Sequence, residues 1–273
     1  MLRRRVSHAV FAVTIAAVIL VWIFPLAWMA LSSFKPSHQI IAQELIWTFT
    51  PTLEHYRTIF QKQPFIRFTA NSVIVALTVT AVTMVAGSLA AYGIARFGTG
   101  GRPLLFWIML TRTLPPAVLV IPLFLIFRVL GLINTLTALV IADTTFLLSF
   151  VVWSMRGFFG EVPSELEEAA LVDGGTRLQA LLRVVLPVVL PGLIATATLT
   201  FIFAWNEYLF ALVFAIATPV KTLPVAAGDF VTGYAVNWGP VFASGTLIMV
   251  PVFVFSILLQ RFVVRGLTMG AIR

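Results

Sequence analysis

Long apolar stretches with at most one ionisable residue each recur along this chain, and they decide which folds are open to it. Hydrocarbon gives a backbone no hydrogen-bond partner, so a segment that crosses it must be a helix or part of a closed barrel. The stretches run to twenty residues or more, about twice a barrel strand, and lack strict alternation, so helices are predicted. Charged residues make up 10% of the 273, against roughly a quarter in a water-soluble domain. The chain cannot clothe a soluble surface and needs a lipid bilayer around it.

The expected fold is an all-α polytopic membrane protein with six transmembrane helices. They lie at about 10–29, 69–94, 104–126, 135–153, 190–214 and 241–262, in a single transmembrane domain over residues 1–273 with its core at about 66–262. Pro115-Pro116 is predicted to bend the third helix, because proline removes an N–H and clashes with the preceding turn. Arg3-Arg4-Arg5 before the first stretch resembles the start of a signal peptide. The stretch is longer than the roughly 7–15 apolar residues of a signal core, and no small-x-small cleavage site follows before Lys35, so a retained helix is expected.

Loop charges set the orientation. Of the Lys and Arg residues, eleven fall in loops on one side and six on the other, Arg112 lying inside a span. The richer side is expected in the cytoplasm, with both termini there. The net charge of +8 is scattered at span ends rather than gathered in a stripe, which argues against nucleic acid. No cysteine is present, which excludes disulfides and thiolate sites. His8, His38 and His55 lie far apart outside the spans, so neither a metal cluster nor a catalytic constellation is expected, and the chain does not read as an enzyme.

The loop between the fourth and fifth spans, residues 161–187, holds five of the ten acidic residues: Glu161, Glu165, Glu167, Glu168 and Asp173. Ser164 with Glu167 and Thr176 with Gln179 have the spacing of two capping boxes. Between them Asp173-Gly174-Gly175 supplies a turn. The prediction is two short helices joined by a sharp elbow, with small Ala169 and Ala170 on the first. Such a loop is either a docking elbow for a partner protein or a passive connector lying on lipid. Its acidity counts against the second, since anionic headgroups repel carboxylates.

Glu168-Ala169-Ala170, Asp173-Gly174 and Leu186-Pro187 together resemble the EAA loop of the permease subunits of bacterial ABC importers. The resemblance implies a coupling helix seated in a cleft of an ATPase subunit, with Glu168, Ala169, Ala170, Asp173, Gly174 and Pro187 at that contact. Gly175 stands where the family often has alanine, and a looser elbow is expected from it. Four further segments resemble the carbohydrate-uptake, maltose-type (MalG-like) branch. They are Phe203-Ala204-Trp205-Asn206-Glu207-Tyr208, the tail from Gln260 to Ala271, Ser32-Ser33-Phe34-Lys35-Pro36, and Asn237-Trp238-Gly239.

This likeness implies a bacterial inner-membrane complex. Its other members would be a second, non-identical permease, two ATPase subunits carrying ATP and Mg, and an extracytoplasmic sugar-binding protein. No phosphate loop of the Gly-x-x-x-x-Gly-Lys-Ser/Thr kind occurs in the chain, so energy must reach it from the partner ATPases. The tail from Arg265 to Arg273 resembles a family tail that contacts the ATPase pair. By the same likeness Asp229, Tyr234, Asn237 and Trp238, in the loop before the sixth span, are candidates for contact with the binding protein. The plainer reading is a compact loop with Trp238 at the membrane interface.

Ionisable groups in hydrocarbon cost several kcal/mol and need a reason to be there. Arg112, Asp143 and Glu207 are such groups here, and Arg112 is expected either to pair with one of the two acids or to reach a water-filled cavity. Trp205-Asn206-Glu207 offers an aromatic face and two hydrogen-bonding side chains, which suits a sugar. The same three residues could instead bond across helices and hold or gate the fold. Trp22, Trp47, Trp153 and Trp238 are expected at the interfaces. The rival from another class is an ion-coupled secondary transporter of a small polar solute, which would use Asp143 and Glu207 but leaves the acidic loop without a task.

Overall fold

Low charge and few helix breakers let the spans run as long helices, and prolines and glycines mark where they stop. The structure, a computed structural model, describes residues 2–269 except Gln43, Leu45 and Gly233; for residues 2–9, 102 and 261–269 it describes backbone alone. The tail residues Gly270–Arg273, part of the expected ATPase contact, lie outside the described residues.

In chain order the helices are α1 (Leu2–Ser32), α2 (Ser37–Ile40), α3 (Glu54–Lys62), α4 (Phe65–Phe97), α5 (Gly101–Thr113) and α6 (Pro116–Val129). Next come α7 (Leu136–Glu161), α8 (Ser164–Val172), α9 (Arg177–Ala180), a π turn (Leu181–Val185) and α10 (Leu186–Trp205). The last are α11 (Leu209–Phe214), α12 (Leu223–Gly228) and α13 (Trp238–Met269). Five stretches are long and apolar enough to cross a membrane: Val10–Ser32, Phe65–Phe97, Leu136–Glu161, Arg177–Trp205 and Trp238–Gln260. The pair α5–α6, bent by 94° at Leu114-Pro115, brings the number to six when it is counted as one broken span rather than a re-entrant loop. The bend falls where the double proline predicts it.

Two spans differ from the sequence reading by two turns or more of helix. The fourth span continues two turns past Trp153 to Glu161, because nothing after Trp153 breaks a helix until Pro163. The fifth begins at Arg177 and ends at Trp205 rather than running from Leu190 to Phe214. Its start is hidden in the acidic loop, where the helix continues from α9 through the π turn. Proline explains that turn. Pro187 lacks an N–H and cannot bond the carbonyl of Arg183 four residues back, so the helix widens by one residue there.

Contacts divide the chain into two compact units. One takes residues up to Phe65 together with Ala226–Val250; the other takes Ile66–Val225 and the residues from Pro251 on. In the first, the Ser32–Pro36 segment ends α1 and anchors both Ile46 and α3. The Lys35 ammonium is buried over the Trp28 ring at 3.9 Å and donates to the Ile46 carbonyl at 2.8 Å. The buried His55 ring donates to the Lys35 carbonyl at 2.7 Å, and Ser33 bonds the Tyr56 hydroxyl at 2.8 Å. This motif therefore has a structural task, seating α3 under the end of α1.

In the second unit α4, α7 and the long helix α9–α10 share a core. It joins Ala91, Tyr92 and Ile94 to Val151, Val152, Met155 and Phe159, and these to Leu181, Val185 and Val189. Lipid is as apolar as leucine, so the gain inside a bilayer comes from close packing rather than from expelled water. Small residues make that closeness. A Cβ on Gly192 would meet the Phe158 ring at 2.5 Å, and one on Gly87 would meet Val151 at 2.7 Å.

Candidate functional site

The acidic loop folds as the predicted elbow, with one correction. Thr176 and Gln179 form the expected capping box: the Thr176 hydroxyl accepts from the Gln179 N–H, and the Gln179 amide oxygen accepts from the Thr176 N–H at 2.8 Å. Ser164 and Glu167 do not form theirs. α8 begins at Ser164 itself, with Pro163 in the cap position and no side-chain cap bond. The Glu167 carboxylate instead accepts from the Arg96 Nε–H and from the Tyr92 hydroxyl at 2.8 Å. Arg96 also donates to the Val162 carbonyl at 2.7 Å.

A charge-assisted bond to a guanidinium outweighs a neutral cap bond, so the long-range partner wins. Sequence reasoning missed this clamp and counted Arg96 only as a topological charge. Tyr92 and Arg96, four apart at the end of α4 and therefore on one face, were the signal available.

With Glu167 turned inward, Glu168 and Ala169 point outward and are exposed, Ala170 is half-buried, and Asp173 and Gly174 are exposed. The turn closes as a Schellman motif: the Gly175 N–H donates to the Ala170 carbonyl and the Gly174 N–H to the Leu171 carbonyl, both at 3.0 Å. Gly174 has φ +85°, the left-handed region glycine favours. Gly175 does not loosen the elbow as expected. A Cβ there would fall 2.7 Å from the Ala170 oxygen, so its absence lets the turn close tightly.

Arg112, Asp143 and Glu207 sort differently from expectation. Asp143 on α7 is buried and lies within electrostatic reach of Glu207. Arg112 joins neither acid. Its guanidinium stands over the Trp153 ring at 4.7 Å and the Phe150 ring at 5.5 Å, and among the described residues the ion pair is Arg96–Glu167. The Glu207 carboxylate accepts from the N–H groups of Phe210 at 2.7 Å and Ala211 at 3.0 Å, capping α11 after the break at Asn206.

Trp205 is buried at 1% exposure and stacked on Phe201, so its ring belongs to the helix packing. Asn206 is exposed and turns its amide back onto the Ile202 carbonyl at 2.8 Å. Among the described residues no group of three His, Asp or Glu could hold a metal ion.

In the other unit Asp229, Tyr234, Asn237 and Trp238 gather on one small hairpin. Val231 bridges to Val236, the Asn237 N–H donates to the Phe230 carbonyl at 3.0 Å, and Tyr234 stands fully exposed near the tip. Asp229, Asn237 and Trp238 line a cavity of about 430 Å³ with Ser37 and Ile40 of α2.

Apolar helices long enough to cross a membrane, one broken beside the buried Asp143 and two joined by a clamped elbow, fit a membrane permease. The sequence matches the family described as binding-protein-dependent transport system inner membrane component over residues 83–269. It is 36% identical over 253 residues, 92% of each chain, to the diacetylchitobiose uptake system permease protein DasC of Streptomyces coelicolor. It is 37% identical over 255 residues, again 92% of each, to the trehalose transport system permease protein SugB of Mycobacterium tuberculosis. The fold superposes with a TM-score of 0.78 on a chain from the crystal structure of a bacterial ABC transporter involved in import of the acidic polysaccharide alginate. That match covers 94% of this chain and 96% of the other at 22% identity. The chain belongs to the binding-protein-dependent transport system inner membrane components, and the ion-coupled alternative gives way.

Proposed function

We propose that this chain is one of two unlike permease halves of an ATP-driven, binding-protein-dependent sugar importer in a bacterial inner membrane, with both termini in the cytoplasm. It does no chemistry itself; ATP and Mg act on a pair of partner ATPases. The observation that carries this reading is the elbow. Arg96 and Tyr92 fasten its first helix to α4 through Glu167, while Glu168, Ala169 and Asp173 are left exposed to meet a partner. A push on that face is transmitted to α4 through the clamp and to the fifth span through the π turn at Pro187. The mechanism is a population shift, nucleotide binding on the ATPases favouring one state of the spans over the other.

Sugar as cargo is supported by the diacetylchitobiose and trehalose permeases at 36–37% identity. In this reading the hairpin carrying Asp229, Tyr234, Asn237 and Trp238 meets an extracytoplasmic sugar-binding protein. The breaks at Leu114-Pro115 and at Asn206-Glu207, with Asp143 beside the second, belong to the gated pathway. The test is Glu168→Lys. It reverses one exposed charge without touching the fold, so the subunit inserts normally while co-purification of the ATPase and sugar-stimulated ATP hydrolysis both fall. Normal assembly and normal coupled turnover would remove the coupling role from this loop.

A further inference from the structure

A guanidinium at mid-depth in a membrane needs a polar neighbour, and among the described residues Arg112 makes no ion pair with a carboxylate. It lies eleven residues into α5, about 16 Å along the helix at 1.5 Å per residue, roughly half of a ~30 Å hydrocarbon core. Arg112 is exposed in this chain. Facing acyl chains there would cost at least about 2.5–3.5 kcal/mol. The Thr111 hydroxyl, bonded to Ser149 at 2.7 Å, pins this face of α5 to α7 and holds the guanidinium over Trp153 and Phe150.

A second observation points the same way. The chain just after Arg112, from Thr113 to Pro116, is exposed and at Leu114-Pro115 is not helical. Non-helical backbone at membrane depth is tolerated only inside protein or against a water-filled cavity. Arg112 and the break are therefore turned away from lipid, toward the second permease or the aqueous pathway between the two.

The walls beside Arg112 are aromatic. Trp153 keeps 47% of its surface exposed, and Phe203 of α10, edge-on to Phe150 at 5.5 Å, keeps 51%. Five N–H donors in a fixed fork, no acceptor, and the half-exposed rings of Trp153 and Phe203 beside it suit a pyranose: its hydroxyl oxygens accept from the guanidinium while its C–H face rests on the exposed ring surface. We infer that Arg112, Trp153 and Phe203 form a sugar-contacting subsite in the translocation pathway, with Phe150 and the Thr111–Ser149 bond positioning them. Trp153 is then a pathway residue rather than an interfacial anchor. The inference rests on the sugar-import reading.

The experiment uses the whole transporter with its binding protein in liposomes, and radiolabelled maltose, trehalose and N,N′-diacetylchitobiose as probes. Arg112→Lys keeps the charge and loses the fork; Trp153→Ala removes the platform. Expected for both are normal assembly and retained binding-protein-stimulated ATP hydrolysis, with about tenfold less sugar moved per ATP, the loss of a charged hydrogen bond or ring contact. Wild-type transport by both variants overturns the subsite. So does failed assembly of Arg112→Ala with full recovery of assembly and transport in Arg112→Lys, which makes Arg112 an ion-pair partner of the second permease. Should the wild-type complex move none of the three sugars, the import reading fails and the subsite with it, a result visible without any variant.

Discussion

The molecule interrupts two of its apolar spans, and the interruptions are built in opposite ways. Between α5 and α6 the break is written into the backbone. Leu114 and Pro115 are both extended because each precedes a proline, and no side chain caps the helix that begins at Pro116. Between α10 and α11 there is no proline. The break is capped by the Glu207 carboxylate, which takes up the N–H groups of Phe210 and Ala211, while Asn134 from the loop before α7 secures the far end of α11. Asn134 accepts from the Ala217 N–H through its side chain at 2.8 Å and donates its own N–H to the Phe214 carbonyl at 2.8 Å. One break is written twice into the backbone; the other hangs on a single side-chain cap, with a distant residue holding the far end of the short helix that follows.

The largest effect should therefore follow from Glu207→Ala. It leaves two N–H groups of buried residues without acceptors and removes a cap, a loss of about 2–4 kcal/mol. Thermal unfolding in detergent would report it as a clear fall in Tm. Glu207→Gln keeps one acceptor oxygen and the shape. It should stay within about 1 kcal/mol of the parent. Equal damage from both substitutions would mean that charge, not capping, holds this break.

Asn134 gives the next effect. It has φ +62°, a region that asparagine tolerates better than most residues. Asn134→Gly keeps the backbone and loses only the bond to Ala217, about 1 kcal/mol. Asn134→Ala loses the bond and adds strain of about 1–2 kcal/mol. The difference between the two Tm values isolates the backbone contribution, and its absence would show that the loop relaxes freely.

The same contrast explains what could be read from the sequence. Features made by neighbours in the chain were legible: the double-proline bend, the Asp173-Gly174-Gly175 turn, the Thr176–Gln179 box, and the apolar runs themselves. Features made by distant partners, or by a side-chain cap that hydropathy does not register, were not. Leu190–Phe214 reads as one span because a carboxylate cap leaves no mark in hydropathy. The Ser164–Glu167 pair has the right spacing for a box, yet Glu167 is drawn away by Arg96, 71 residues earlier. Arg112 reads as a partner for an acid or as a residue reaching a water-filled cavity, and only the packing of α5 on α7 shows that it stands over two rings instead of beside an acid. The exposed face of the elbow was legible for the same reason its turn was, whereas Trp205 could be read as a sugar platform or as a packing residue until its burial became visible.

The smallest expected effect tests redundancy at the first break. Either Pro115→Ala or Pro116→Ala leaves one proline, and the residue before it stays extended, so each single variant should keep the bend and change stability by no more than about 0.5 kcal/mol. Removing both frees the backbone to continue as a helix. The chain has no cysteine, so spin labels on Met109→Cys and Leu125→Cys, both exposed positions, can report the angle. Straightening should lengthen their separation by about 5 Å or more at 1.5 Å of rise per residue. The competing force is the edge-on contact of Phe127 on α6 with Phe214 on α11, 5.2 Å between ring centres, which ties the two interrupted spans together. A bend that survives the double substitution would mean that this contact, and hence the capped break at Glu207, holds the proline break as well. The two would then be one device, and Glu207→Ala in the double-alanine chain should release both.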